Sequence, residues 1–189
     1  MQYFKKLNVA NFELIRNELE IATAGNVIQD LRFWDVPFEW FKTNAPLTYE
    51  FINLYKRVPV RLCRFYLTPK FDKLIPHVDG LTNNRSPIGL NIPLIGYQNT
   101  TMDWYSCPDD NFTDGNYGFN RITASRIIDF SKIKKIDSTT IDCPTFVRTD
   151  IVHGVINNTP SKRLVLSLRF PYTHTFGQNF EDVMKLTDL

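Results

Sequence analysis

His77 and Asp79 stand two residues apart in the stretch "IPHVDG", in a chain with three histidines in all. Residues i and i+2 of an extended strand point to the same face, so this spacing sets an imidazole beside a carboxylate and offers two corners of a metal site. Alone the pair carries little, because a strand histidine is ordinarily a packed or solvated one. A third donor has to come from elsewhere, and the histidines left are His153 in "DIVHGVINN" and His174 in "PYTHTF". His153 sits in a strand-like run that reverses at "NNTPSK" into "RLVLSLRF", whereas His174 lies beyond that last run among turn residues. His153 is the better placed.

Two imidazoles and one carboxylate on one face of a metal leave the other positions open, an arrangement used by non-haem Fe(II) oxygenases. A structural zinc would take four protein ligands, and Cys63, Cys107 and Cys143 lie at no ligand spacing from these residues. With an odd count and no CxxC, the cysteines predict reduced thiols and a cytoplasmic chain.

Strands are needed to carry such donors. After Pro59 the sequence breaks into short β-branched and aromatic runs: "VRLCRFYL", "KLIPHV", "IGLNIPLI", "TMDWYS", "RITASRIIDF", "PTFVRTDIVHGVI" and "RLVLSLRF". Asn, Gly, Asp and Pro separate them, which predicts an antiparallel sandwich or barrel rather than alternating βαβ units. Before Pro59, "NFELIRNELEIATA" has Phe12, Ile15 and Leu19 at helical spacing, with Asn11 placed as the N-cap. A second helical pattern runs through "LTYEFINLYKRV", where Leu47, Phe51, Leu54 and Val58 recur. The aromatic, proline-broken "RFWDVPFEWFKTNAP" between them predicts a loop packed on the core. "SCPDDNFTDGNYGFN", from Ser106 to Asn120, predicts a long surface loop able to close over a site.

The expectation is therefore a single domain over 1–189, mainly β with N-terminal helices. A helical buttress (1–60) supports a jelly-roll core (61–170), followed by a C-terminal tail (171–189). At 189 residues, 43% of them hydrophobic and 14% aromatic, the chain can bury a core without disulfide or metal staples. The balance of 22 basic against 20 acidic residues, +2 net, provides no field to recruit nucleic acid. "KIKK", from Lys132 to Lys135, is the clearest basic cluster and suits a solvated face or turn. No stretch approaches the roughly 18 apolar residues of a membrane span, and the N-terminus lacks an apolar signal region.

The order "H-x-D … H-x9-R", formed by His77, Asp79, His153 and Arg163, resembles that of the 2-oxoglutarate and Fe(II)-dependent dioxygenases. Their core is a double-stranded β-helix, a jelly-roll. The flanks are most similar to the aspartyl/asparaginyl β-hydroxylase-like branch. "IPHVDGLTNNRSPIGLNIPL" carries Arg85 soon after the metal motif, and "DIVHGVINNTPSKRLVLSLRF" is similar to that branch's "H-x-V-x-N-x-(S/T)…R" ending. The best-known members of the branch lack the acidic ligand, whereas Asp79 is present here.

The resemblance implies that His77, Asp79 and His153 hold Fe(II), and that 2-oxoglutarate chelates it as cosubstrate. Succinate and carbon dioxide would leave as a peptidyl or small-molecule substrate is hydroxylated. It implies that Arg163 grips the far carboxylate of 2-oxoglutarate, a bidentate task suited to a guanidinium. If a hairpin joins the last two strands, His153 and Arg163 both face inward only when paired residue numbers sum to an even value, as with Asn157 opposite Arg163. Arg169 has the same parity and is the reserve. Arg85 is a candidate for a metal-side carboxylate or a surface ion pair. Tyr66, on the preceding strand, is a candidate hydroxyl donor to the cosubstrate or a core residue with its hydroxyl at the rim. Trp104 suits the core or pocket wall. The alternatives are a non-catalytic cupin-like barrel binding a metal or small ligand, with no need of Arg163, and a nucleic-acid demethylase on the same iron chemistry, against which the near-neutral charge speaks.

Overall fold

The computed structural model describes residues 1–24, 33–54, 62–81, 84–85, 88–117, 122–169 and 180. In chain order the elements are β1 (Phe4–Lys6), α1 (Phe12–Ala24), β2 (Phe33–Val36), α2 (Phe38–Asn44), α3 (Pro46–Leu54), β3 (Leu62–Thr68), β4 (Lys73–Leu81), β5 (Asn84–Arg85), β6 (Ile88–Ile95), β7 (Thr100–Ser106), β8 (Phe112–Tyr117), β9 (Ile122–Ile127), β10 (Lys134–Thr139), β11 (Thr145–Arg148), β12 (His153–Asn157) and β13 (Arg163–Arg169). Two antiparallel sheets face each other. One runs β1-β11-β6-β13-β3-β2; the other runs β10-β7-β12-β4-β9-β8, with β5 paired to β4. This is the expected jelly-roll, a double-stranded β-helix.

Helices cover the outer side of the six-stranded sheet. The α1 stripe Ile15, Leu19 and Thr23 is buried at i, i+4, i+8, while Leu14 and Ile21 stay exposed. Asn11 precedes the helix at φ 59, a left-handed backbone that asparagine tolerates. Glu18 of α1 accepts bonds from the Leu47 and Thr48 amides, at 2.8 and 2.9 Å, which satisfies free N–H groups in the first turn of α3. Ile15, Leu19, Phe41, Phe51 and Ile52 pack on Phe65, Leu90, Ile92, Leu164, Leu166 and Leu168 of the sheet. Strand alternation then turns Arg64, Tyr66 and Thr68 of β3, and Arg163, Val165, Ser167 and Arg169 of β13, into the barrel interior. With both faces covered, β13 is buried over all but its last residue, and "RLVLSLRF" reads as a near-continuous apolar run for that reason.

Several expectations are corrected. "RFWDVPFEWFKTNAP" forms β2 and α2 rather than a loop, with Trp34 stacked on Phe65 at 4.6 Å. The segment from Ser106 to Asn120 contains β8, paired along β9, so its described part is largely sheet. Its alternating Phe112 and Thr113 were outweighed in the sequence by turn-forming neighbours. The lysines of "KIKK" are exposed, the expected solvated face, and lead into β10, the edge strand beside β7, while "MQYFKK" supplies β1. β12 and β13 form no hairpin: β12 pairs with β4 and β7, whereas β13 pairs with β3 and β6. The connection between them crosses from one sheet to the other, as a jelly-roll requires. Asn157 fastens this crossover. Its side-chain amide donates to the Pro69 and Ser161 carbonyls, both at 2.8 Å, and its oxygen accepts from the Thr159 hydroxyl at 2.7 Å. Among the described residues no helix is long and apolar enough to cross a membrane.

Candidate metal centre

Strands β4 and β12 lie side by side in the middle of the seven-stranded sheet, with His77 directly opposite His153. Asp79 projects from the same side of β4 as His77, and the three ligand atoms all lie within 4.8 Å of one another. The imidazole centroids are 4.6 Å apart. His153 is buried, and His77 and Asp79 are nearly so, at 17% and 15% side-chain exposure.

Two irregularities aim these side chains. Between His153 and Val155 of β12 the partner strand advances from His77 to Leu74, so β4 carries a bulge around Ile75 and Pro76. A bulge is also what admits a proline, which has no N–H to give, into a central strand. The bulge presses on Gly154, where a Cβ would lie 2.9 Å from the Leu74 carbonyl oxygen. A second shift follows Asp79 in the pairing with β9. Each histidine is then locked by its own strand: His77 Nδ1 bonds to the Ile75 carbonyl and His153 Nδ1 to the Ile151 carbonyl, both at 2.9 Å. A carbonyl only accepts, so both Nδ1 atoms carry a proton and Nε2 is the ring atom that each histidine turns to the site.

Electrostatics favour the same donor set. Burial, followed by the neighbouring His77, lowers the His153 pKa to about 4, so its ring is neutral at physiological pH. Burial acts to raise the Asp79 pKa, but the Arg169 guanidinium, the His77 bond and the His153 ring outweigh it and hold the carboxyl well below the usual carboxylate range. Arg169 Nη2 lies 2.9 Å from Asp79 Oδ2 without hydrogen-bond alignment, and that oxygen and Arg169 Nη1 are buried with no hydrogen-bond partner. Two imidazoles and one ionised carboxylate, its Oδ1 turned to the His77 ring, suit a divalent cation. Among the described residues no fourth His, Cys, Asp or Glu joins them.

Three arginines line the opposite wall, and their surroundings differ. Arg64 is held bidentately by Asp35 at 2.5 and 2.8 Å; burial works against its charge, yet Asp35 and the Tyr66 hydroxyl push its pKa up. Arg169 sits on Asp79. Arg163 is 3% exposed, and burial alone lowers its pKa to about 10, with no carboxylate beside it among the described residues. Of the other predicted residues, Tyr66 faces the interior between the Arg64 and Arg169 guanidiniums, at 5.8 and 5.9 Å from its ring. Trp104 is core, stacked on Phe4, with its Nε1 donating to the Arg148 carbonyl at 3.0 Å. The backbone of Arg85 pairs with Gly80, beside Asp79, and its side chain lies outside the described residues, as does His174. Gly89 and the Arg169–Asp79 contact were not anticipated. A glycine inside the apolar run "IGLNIPLI" is the one signal that marked a close approach there.

No family model matches the chain, and no curated protein matches it by sequence. Solved structures do match it in fold. The chain is similar to the non-heme alpha ketoglutarate dependent carbocyclase SnoK from nogalamycin biosynthesis, with a TM-score of 0.59 and 11% identity over 90% of this chain and 80% of that one. It is similar to a Pseudomonas putida prolyl-4-hydroxylase, with a TM-score of 0.56 and 9% identity over 92% and 94% of the two chains. It is also similar to AviO1 from Streptomyces viridochromogenes Tue57, with a TM-score of 0.55 and 15% identity over 91% and 90%. At these identities the likeness is one of fold, the double-stranded β-helix.

Proposed function

We propose that the chain is an Fe(II)- and 2-oxoglutarate-dependent dioxygenase that hydroxylates a peptidyl or small-molecule substrate. The observation that carries this reading is Arg163: a buried guanidinium with no carboxylate beside it among the described residues, facing the same interior as the His77, Asp79 and His153 donors. From His153 to the end of β12 is four residues, about 13 Å of strand. The chain then crosses to β13 and begins it with Arg163. A barrel that only held a metal has no use for a desolvated cation there.

In this reading His77 and His153 give their Nε2 lone pairs and Asp79 a carboxylate oxygen to iron, while Arg163 takes the far carboxylate of the cosubstrate. Fe(II) with 2-oxoglutarate and dioxygen supplies oxidative decarboxylation to succinate and carbon dioxide, coupled to oxygenation of the substrate. The Ile75 and Ile151 carbonyls hold the imidazoles in the metal-binding tautomer, and the burial of Arg163 keeps water from its guanidinium. Tyr66 and Arg85 belong to the same reading as cosubstrate contacts. The fold neighbours include both a prolyl-4-hydroxylase and a carbocyclase, and the substrate is accordingly drawn no more narrowly. The aspartyl/asparaginyl β-hydroxylase-like branch rests on the flanks around Arg85 and Asn157. Three free thiols suit a reducing compartment such as the cytoplasm.

The test is anaerobic titration with Fe(II) and 2-oxoglutarate, followed by the visible charge-transfer band of the chelate. The expected result is a band with the wild type that is lost in His77→Ala. No band with the wild type, or an undiminished one in the variant, would sink the reading.

A further inference from the structure

The two oxygens of Asp79 meet different partners. Oδ1 lies 3.4 Å from His77 Nε2, on the donor face, while Oδ2 lies 2.9 Å from Arg169 Nη2. Arg169 reaches Asp79 from the opposite sheet, at the last position of β13, where its register partner on β6 is Gly89. A Cβ on Gly89 would stand 1.9 Å from Arg169 Nη1 and 3.2 Å from its Cζ. Gly89 has no positive φ, so what a side chain there would meet is the guanidinium lying against the backbone, which would have to move aside. Arg169 is itself only 14% exposed, and its ring neighbour is Tyr66. Six residues of strand, about 20 Å, separate it from Arg163, so the two arginines serve opposite ends of the interior.

We propose that Arg169, given room by Gly89, is a positioning residue that restricts Asp79 to one-oxygen coordination of the metal. The inference rests on the metal-site reading above. An octahedral metal has six positions, and His77, His153 and one Asp79 oxygen fill half of them. The remaining three take a chelating 2-oxo acid and one further co-reactant. An Asp79 free to bind through both oxygens would fill a fourth position, and the chelate would compete for what is left. The guanidinium holds Oδ2 by charge and so preserves the open face. A guanidinium paired by charge to a ligating carboxylate acts on the metal through the ligand, as outer partners of metal ligands generally do.

The test uses the apoprotein loaded with Co(II), whose visible spectrum reports coordination, without and with 2-oxoglutarate. Arg169→Met removes the cation, Gly89→Ala displaces it while keeping it in the chain, and Arg169→Lys restores the charge. Arg169→Met and Gly89→Ala are expected to alter the Co(II) band before any 2-oxoglutarate is added. They are also expected to weaken 2-oxoglutarate binding about tenfold or more while Co(II) remains bound, with Arg169→Lys recovering part of both. An unchanged Co(II) band together with unchanged 2-oxoglutarate affinity in a folded Arg169→Met or Gly89→Ala protein overturns the inference and leaves the metal site standing. Failure of the wild type to take up Co(II) at all overturns the metal site and the inference with it.

Discussion

Replacing Arg163 by methionine should make the apoprotein more stable while abolishing its response to 2-oxoglutarate. The guanidinium is 3% exposed, and burial alone depresses its pKa from the ordinary value of 12.5 to about 10. At about 1.4 kcal/mol per pKa unit, that depression corresponds to a penalty of about 3 kcal/mol on the folded state. The sign is that of a buried cation: the unfolded chain holds its proton more firmly, so the penalty is fully present at neutral pH and is relieved only as pH rises from about 10 toward the unfolded value. Methionine has a similar apolar stem and no charge to desolvate, so removing the guanidinium returns some part of those 3 kcal/mol. The ligand arm runs the other way. At a cosubstrate concentration 100 times its dissociation constant, the metal-loaded wild type gains about 2.7 kcal/mol, or about 5 to 10 °C in Tm for a chain of this length. The variant should gain nothing. Urea unfolding of the two apoproteins gives the first quantity, and melting with Mn(II), with and without 2-oxoglutarate, gives the second. An Arg163→Met protein that is less stable than the wild type and still shifts with 2-oxoglutarate would mean that the guanidinium is a structural group with a partner, and the assignment of the cosubstrate pocket would fall.

Asn157→Ala should lower stability by about 2 to 3 kcal/mol, because the Pro69 and Ser161 carbonyls and the Thr159 hydroxyl each lose a buried partner. A drop in the urea midpoint with unchanged slope checks this, and a neutral result would mean that the crossover is held by its backbone alone. Gly154→Ala should weaken Co(II) binding at His77, since its Cβ would meet the Leu74 carbonyl at 2.9 Å and push the bulge that precedes that ligand. Retention of both full metal affinity and wild-type stability would show the bulge to be soft. Asp103→Asn should cost about 2 kcal/mol at neutral pH, because the buried carboxylate accepts from the Ser138 hydroxyl at 2.5 Å and the Lys135 ammonium at 3.0 Å. Burial acts to raise the Asp103 pKa, but the bonds from Ser138, Lys135 and Thr101 outweigh it and lower it. Its stabilisation is therefore present above the unfolded carboxylate value and is lost as pH falls through the acid range. The stability difference between wild type and variant should shrink in acid; a constant difference across pH would count against an ionised Asp103.

What the sequence revealed of the site follows from the period of a strand. His77 and Asp79 share a face because they are two residues apart, and the same parity puts Arg163 and Arg169 on one side of β13. Parity, however, says nothing about which sheet a strand joins. The last two strands were expected to form a hairpin, whose register would have decided whether His153 and Arg163 face inward together. Because β12 and β13 lie in opposite sheets, each is oriented by its own neighbours: His153 by His77 and Trp104, Arg163 by Thr68. Both still reach the interior, for a reason that local spacing cannot encode. The bulges that aim His77 are equally non-local, since they exist only against β12 and β9, and Pro76 was their one visible trace. Arg169 makes the same point in charge. From its number it was equivalent to Arg163, a second inward cation for the same dicarboxylate. Only the approach of the opposite sheet, through a gap left at Gly89, brings it to Asp79 and makes it part of the metal face. The two arginines thus divide by partner among the described residues: Arg169 has the Asp79 carboxylate beside it at the metal end, and Arg163, which has none, is the one we propose for a carboxylate that arrives from outside.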